Sequence, residues 1–419
     1  MSVLILAMLI LGLLLLRQPV MVILGAVTAY CYAVIGDGEV GWIIIDAWEA
    51  ANRELLLSIP LYVLAGNIMS RGAMATRLIR VSQALTAPVP GGLAIATVIS
   101  CALFAAVSGS GTVTLLAIGG VMYPALIGAG YPRAFSLGLL CAGGTLGIII
   151  PPSIPLILYG VMTQTSVTGL FIAGIGPGLL LVTLLAGYSL ARHGHIRTGT
   201  WQRREITAAL RSGVWSLFMP ALILGGIYSG YFTATESAAV AVVYAMLVET
   251  LIHRQLGPGA VYAVIAETVR MLGALFPVLM LALSLNVFLT YEQLPETLVR
   301  GMSAWIDGPT MFLVLTNGLL LLVGCLVDIG SAILILAPLL QPLAVAQGID
   351  PVHFGVVMAV NLEIGYLTPP LGLNLVVAMI AFREDFWFIC RAVLPFITIL
   401  FAGLMAVTFV PQLSLFLIR

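Results

Sequence analysis

The 419-residue chain is 61% hydrophobic and only 8% charged, with a mean hydropathy of +1.15; this excludes a soluble globule, in which charged residues make up about 25%. Formal net charge is zero and all 17 basic residues are arginine; this balance says nothing about partners, and no nucleic-acid partner is expected. The apolar residues fall in helix-length runs, not in the roughly 10-residue alternation of a membrane barrel, and an all-α polytopic membrane protein is expected.

In chain order, residues 1–16 and 19–35 form two apolar segments parted by Arg17, Gln18 and Pro19, with Asp37 closing the second. The first lacks a basic n-region and a small-residue cleavage site and reads as a membrane helix, not a removed signal. Residues 41–57 differ in kind. Asp46, Glu49 and Arg53 recur at helical spacing opposite Ile43, Ile44, Ala47 and Leu57, the pattern of an arm helix lying in the membrane interface.

A short segment with Pro60 and Asn67 precedes the polar patch of Arg71, Arg77 and Arg80. Residues 93–127 are then two apolar arms around Ser108, Gly109, Ser110, Gly111 and Thr112. Arms of about 15 residues reach only ~22 Å at 1.5 Å per residue, which suits a re-entrant hairpin better than two full spans. Residues 133–162 are a helix broken at Pro151-Pro152, since an interior proline removes a hydrogen bond and clashes with the preceding turn. A final span completes a first repeat over residues 1–191.

Residues 192–213 carry Arg192, Arg197, Arg203, Arg204 and Arg211 against Glu205 alone; this basic linker is expected on the cytoplasmic side. His193 and His195 belong to it. A second repeat follows over residues 214–419: two spans, an arm helix at 260–275, a segment with Pro277 and Asn286, a hairpin at 311–345 around Asp328, a helix at 353–381 broken at Pro369-Pro370, and a closing span. An offset of 218 residues superposes Pro151 on Pro369, Pro152 on Pro370, Gly147 on Gly365, Gly130 on Gly348 and Pro124 on Pro342. That agreement indicates an internal duplication, as in repeat-built transporters. An inverted arrangement requires an odd number of crossings in each half, and the segment lengths leave open which segments cross fully.

Irregular backbone at membrane depth is tolerated only where protein buries it or a wet cavity borders it. The four interruptions form two pairs: Ser108 to Thr112 with Gly144 to Ser153, and Gly324 to Ser331 with Gly365 to Asn374. Their hydroxyls and freed carbonyls suit a hard cation such as Na⁺, and their half-helix N-termini suit an anion. Asp328, the repeat equivalent of Ser110, is either a functional carboxylate or the N-cap of the helix beginning near Ser331. Glu363 either faces the cavity or caps a half-helix. Thr368, before a proline pair, is a candidate ion ligand. Glu236 has a better structural account, because Thr233-Ala234-Thr235-Glu236 fits a capping box. The five cysteines lack paired spacing and read as buried free thiols. No histidine cluster has metal spacing, no cofactor is expected and no catalytic residue is assigned. An intramembrane hydrolase using Ser110 or Asp328 is disfavoured: the first half's apolar segments hold no histidine base, and Asp328 and Glu363 are the only carboxylates for an aspartyl enzyme.

Several segments together resemble the large membrane subunit of the tripartite ATP-independent periplasmic (TRAP) transporters. They are IPLYVLAGNIM at 59–69, AGGTLGIIIPPSIPLILYG at 142–160, LFIAGIGPGLL at 170–180, GGIYSGYFTATESAAVAVVYA at 225–245 and GIDPVHFGVVMAVNLEIGYLTPPLGLNLVVA at 348–378. The resemblance implies an elevator-type fold with inverted repeats in the bacterial inner membrane. It further implies Na⁺-coupled import of an organic acid, such as a C4-dicarboxylate or sialic acid, delivered by a soluble periplasmic binding protein. By the same resemblance, one Na⁺ site would draw on Ser108, Ser110, Thr112, Gly144, Thr145, Gly147 and Pro151. The other would draw on Gly324, Asp328, Gly330, Gly365, Thr368 and Pro369, with substrate at Gly111, Pro152, Ser153, Pro370 and Asn374. The chain departs from the family pattern at Gln18, where a glycine usually precedes the proline, and at Ile329, where a threonine usually follows the aspartate. Because the resemblance begins close to Met1, a separate small four-helix membrane subunit is expected as partner. A stand-alone dicarboxylate or ion transporter of the same broad architecture is the alternative.

Overall fold

The structure is a computed structural model. It describes the chain apart from residues 1, 17, 37, 198, 295, 296, 298, 301–307, 371 and 419; Arg17, Asp37 and Leu371, named above, lie outside the described residues. The regular structure among the described residues is all helical, and eight helical stretches, with 133–163 counted as one, are long and apolar enough to cross a membrane.

The chain opens with α1 (Ser2–Leu15) and α2 (Val20–Tyr30), the latter extended by a π-helical turn, Cys31–Ile35. Next come the arm helix α3 (Trp42–Ala51), α4 (Ser58–Arg71) and α5 (Met74–Thr86). The arm helix is shorter than the stretch 41–57 suggested, because a separate 3₁₀ turn, Glu54–Leu57, leads into α4. Its outer face is apolar, with Ile44 76% and Trp48 69% exposed. Asp46 is tied to the Tyr32 hydroxyl, which also donates to the Ser284 carbonyl at 3.1 Å.

The hairpin α6 (Gly92–Ser108) and α7 (Gly111–Gly128) precedes α8 (Arg133–Ile149) and α9 (Ile154–Thr163), the halves of the first broken helix. A long helix α10 (Val167–His193) closes this half, and α11 (Arg203–Tyr228) opens the next. The stretch between helices is thus shorter than 192–213: His193 ends α10, buried against the Phe135 ring at 4.1 Å, and Arg203, Arg204 and Arg211 lie on α11. Then follows α12 (Ala234–Leu247), continued by the π-helical turn Val248–Ile252. The capping box at its start is formed: the Thr233 amide donates to Glu236 Oε2 at 2.8 Å, and the Glu236 amide to Thr233 Oγ1 at 3.1 Å.

The arm helix expected at 260–275 and the Pro277 segment are one 34-residue helix, α13 (Pro258–Tyr291). Pro277 does not break it, since a single proline costs one hydrogen bond that neighbouring groups can re-satisfy. The second hairpin is α14 (Gly308–Gly324) and α15 (Ile329–Ala346), and the second broken helix is α16 (Pro351–Gly365) with α17 (Leu373–Phe382). The chain closes with α18 (Phe386–Phe409) and the short α19 (Gln412–Leu415).

One core cluster runs through both halves. At its centre lie α8, buried at every residue from Phe135 to Ile149, and α16, buried from His353 to Gly365. Each is flanked by the two arms of its own hairpin: α6 and α7 on α8, α14 and α15 on α16. The second arms also cross over: α7 packs on α17 and α15 packs on α9, so each hairpin reaches the other half's post-break helix. All five cysteines are buried and unpaired.

At the ends of these elements, Glu384, between α17 and α18, accepts from Arg133 Nη2 at 2.7 Å and from the Tyr123 hydroxyl at 2.6 Å. The Arg133 guanidinium holds the Glu384 carboxyl below the usual carboxylate range. A depressed folded-state value contributes stability above the ordinary carboxylate pKa of about 4.3 that disappears as pH falls through the folded value. With the Arg133 side chain 65% exposed, solvent screening limits the contribution to about 1 kcal/mol or less. Thermal unfolding of wild type and Arg133→Gln is therefore expected to differ by a constant margin above about pH 5, with the margin closing at lower pH.

Candidate functional site

The site is made by the four interruptions, and each is short because its residues stop a helix by a different device. At the first tip, Gly109 ends α6 in the left-handed region (φ 59°), where a side chain would be strained. Its carbonyl accepts from the Ile154 amide at 3.4 Å, joining tip to break. Ser110, extended, precedes α7. Its carbonyl accepts from the Thr114 amide at 3.1 Å and the Thr114 hydroxyl at 2.9 Å, and the Thr114 hydroxyl also bonds Ser108 Oγ at 2.8 Å. Ser110 and Thr112 hydroxyls are 3.2 Å apart.

Opposite this tip, α8 stops at Ile149, residues 150–153 run without helix through a cis Pro151-Pro152 bond, and Ser153 Oγ accepts from the Leu156 amide at 3.4 Å to start α9. Gly147 faces the tip so closely that an added Cβ would lie 2.5 Å from the Ser110 carbonyl oxygen. Thr145 donates to the Ala142 carbonyl at 2.5 Å. Ser108, Thr145 and Ser153 are all buried.

The second pair repeats the plan with different chemistry. Asp328 Oδ2 accepts from the Ser331 amide at 2.9 Å and caps α15, the structural role that the sequence left as one of two. The Ile329 amide donates to the Tyr366 hydroxyl at 2.8 Å, so a phenol from the broken helix holds the tip where the family pattern has a threonine. Gly324 and Gly365 are in backbone contact, with a Cβ on Gly365 falling 2.6 Å from the Gly324 Cα. The Thr368 hydroxyl donates to the Ile364 carbonyl at 2.9 Å, leaving its oxygen lone pairs. Pro369-Pro370 is again cis, and Gly330 lies in the first turn of α15, after the cap.

The proposed first-site residues thus gather at one tip and break, and the proposed second-site residues at the other. Of the proposed substrate residues, Gly111 starts α7, Pro152 and Ser153 lie in the first break, and Pro370 and Asn374 lie at the second. Asn374 is buried, and neither end of its amide has a hydrogen-bond partner, as expected of a polar group reserved for a ligand. Glu363 is likewise buried with both carboxylate oxygens unpartnered. It sits inside α16, two residues before that helix ends, so the capping alternative does not apply.

Sequence reasoning gave no role to Tyr366 or to the pair Asn317 and Asn361. Asn361 Nδ2 donates to Asn317 Oδ1 at 2.6 Å, clamping α16 to α14. Two asparagines in apolar helices were the available signal, since buried polar groups need partners. Among the described residues no group of His, Cys, Asp or Glu has the arrangement of a metal centre.

The sequence and the fold both have known counterparts. The chain is 40% identical over 374 residues to the C4-dicarboxylate TRAP transporter large permease protein DctM of Pseudomonas aeruginosa, covering 88% of each chain. It is 33% identical to the ectoine TRAP transporter large permease protein TeaC of Halomonas elongata, over 97% of this chain and 96% of that one. Its fold resembles that of the YdaH transporter of Alcanivorax borkumensis, with a TM-score of 0.65 at 15% identity over 87% of this chain and 86% of that one. Residues 6–413 match the family model of the tripartite ATP-independent periplasmic transporter, DctM component, and with this architecture the chain belongs to that family.

Proposed function

We propose that this multi-pass inner-membrane permease subunit imports a small organic acid by Na⁺-coupled secondary transport. The observation that carries this reading is the pair of helix interruptions at membrane depth, each opposed by a hairpin tip. Hydroxyls, a carboxylate and an unpartnered buried Asn374 are gathered there. Around the first break the serine and threonine hydroxyls and backbone carbonyls are hard oxygen donors suited to Na⁺. Around the second, Asp328 and Thr368 add a carboxylate and a hydroxyl. Half-helix N-termini at Gly111, Ser153 and Asn374 suit the substrate carboxylate. The relatives named for C4-dicarboxylate and ectoine transport support a small, polar substrate. A periplasmic binding protein would deliver it, and a separate small membrane subunit would brace the apolar outer face of α3. The two halves would lie in inverted orientation with the basic stretch cytoplasmic, and hairpins and broken helices would move together as the elevator.

The test is uptake into proteoliposomes holding the complete complex, with succinate as probe and the binding protein added outside. An inward Na⁺ gradient is expected to drive accumulation, and Asp328→Ala is expected to reduce it at least tenfold while the complex still assembles. Uptake indifferent to the Na⁺ gradient or to the binding protein would refute the coupled, binding-protein-dependent form.

A further inference from the structure

We propose that Glu363 is a direct ligand of a coupling Na⁺ held where the two halves meet. This rests on the sodium-coupled reading above and adds to it a carboxylate from outside both tips. Glu363 is 1% exposed, and neither carboxylate oxygen has a hydrogen-bond partner. None of the ion pairs among the described residues, Arg71–Glu267, Arg133–Glu384 and Glu249–His253, includes it. An ionised carboxylate held this way inside a membrane protein is strongly unfavourable unless a cation joins it.

The oxygens that approach the start of α7 are the ones that would share that cation. Gly111 is the first residue of α7, and a Cβ built on it would lie 3.3 Å from Glu363 Oε1 and 3.2 Å from the Gly144 carbonyl oxygen. Glu363 Oε1, from α16 of the second half, and the Gly144 carbonyl oxygen, from α8 of the first, therefore both border Gly111 beside the tip of the first hairpin. A side chain at 111 would press on both oxygens, and glycine leaves them accessible to an ion. The third nearest atom beside that glycine is the Ile148 methyl, 3.3 Å away. Of the titratable groups at the second break, the Tyr366 phenol lies in electrostatic range of both Glu363 and Asp328. A carboxylate beside a backbone carbonyl is an all-oxygen pair that suits a hard cation such as Na⁺. The ion would join both halves and the first hairpin at once, so its arrival would register at both breaks.

Na⁺-dependent thermal stabilisation of the purified protein tests this without substrate. Wild type is expected to gain melting temperature as NaCl replaces choline chloride at constant ionic strength. Glu363→Gln, of the same shape but uncharged, is expected to shift the Na⁺ midpoint upward by roughly 10–100-fold. Glu363→Asp, which keeps the charge on a shorter stem, is expected to fall between, and it carries the test alone if the glutamine variant does not fold. A Glu363→Gln protein, or failing that a Glu363→Asp protein, with the wild-type Na⁺ midpoint overturns the proposal. So does a Glu363→Gln protein more stable than wild type without Na⁺ and equally responsive to it, which would mean that a proton neutralises the group. A wild type with no Na⁺ response would overturn the sodium-coupled reading itself, so the two failures are told apart.

Discussion

Gly365→Ala is expected to abolish uptake and to destabilise the protein, although glycine-to-alanine changes within helices ordinarily stabilise by about 0.5–1 kcal/mol. The reversal comes from what the methyl group would meet. It would lie 2.6 Å from both the carbonyl carbon and the Cα of Gly324, and these are backbone atoms that cannot rotate aside. Separating the tip of the second hairpin from α16 is expected to cost about 1–3 kcal/mol and would pull the Ile329 amide from the Tyr366 hydroxyl. Gly147→Ala, with its methyl group 2.5 Å from the Ser110 carbonyl oxygen, should do the same to the first tip. Gly225→Ala, with no atom within 4 Å of the new carbon, is the control that should retain uptake. Uptake by Gly365→Ala at the Gly225→Ala level would show that tip contact is dispensable.

The second large effect is expected from Glu249, which is fully buried in the π-helical turn after α12. Its carboxylate accepts from the Ala73 amide at 3.0 Å and the Met74 amide at 2.7 Å, capping α5 from a distant part of the chain. It also lies 3.3 Å from His253 Nδ1. Here α4 and α5 meet at a 67° bend, so the first amides of α5 have no helical partners of their own. Glu249→Ala removes two charge-assisted bonds and strands one buried and one half-buried amide, an expected loss of about 3 kcal/mol. Glu249→Gln keeps one acceptor oxygen and should lose about half as much. Unfolding in detergent followed by tryptophan fluorescence distinguishes them, and equal stability of all three proteins would show that water takes over the cap.

These two positions illustrate what could be read in advance. Gly365 was found because a repeat, a proline pair and a glycine at fixed spacing are local facts of the chain, and the close approach it permits is the physical reason for a glycine there. The broken helices, the hairpins and the capping box at Thr233 were legible on the same grounds. Glu249 was not, because its partners lie 175 and 176 residues away, and nothing near it in sequence announces a helix start that needs a cap. Arg133 and Glu384, separated by 251 residues, escaped for the same reason. The continuity of α13 is not legible in the sequence, because a lone Pro277 within an apolar run looks like a break and only the proline pairs break a helix here. Glu363 was visible as a lone carboxylate, but its two readings could be separated only by seeing that it lies near a helix C-terminus, where it caps nothing.

The crossing of α7 onto α17 and of α15 onto α9 bears on the origin of the chain. A protein of half this length, folded alone, would present a hairpin arm and a post-break helix with nothing to cover them. Two copies exchanging arms would cover both, as in a domain-swapped dimer. Each half of this chain covers surfaces of the other, which a half-length ancestor would have needed a second copy to cover.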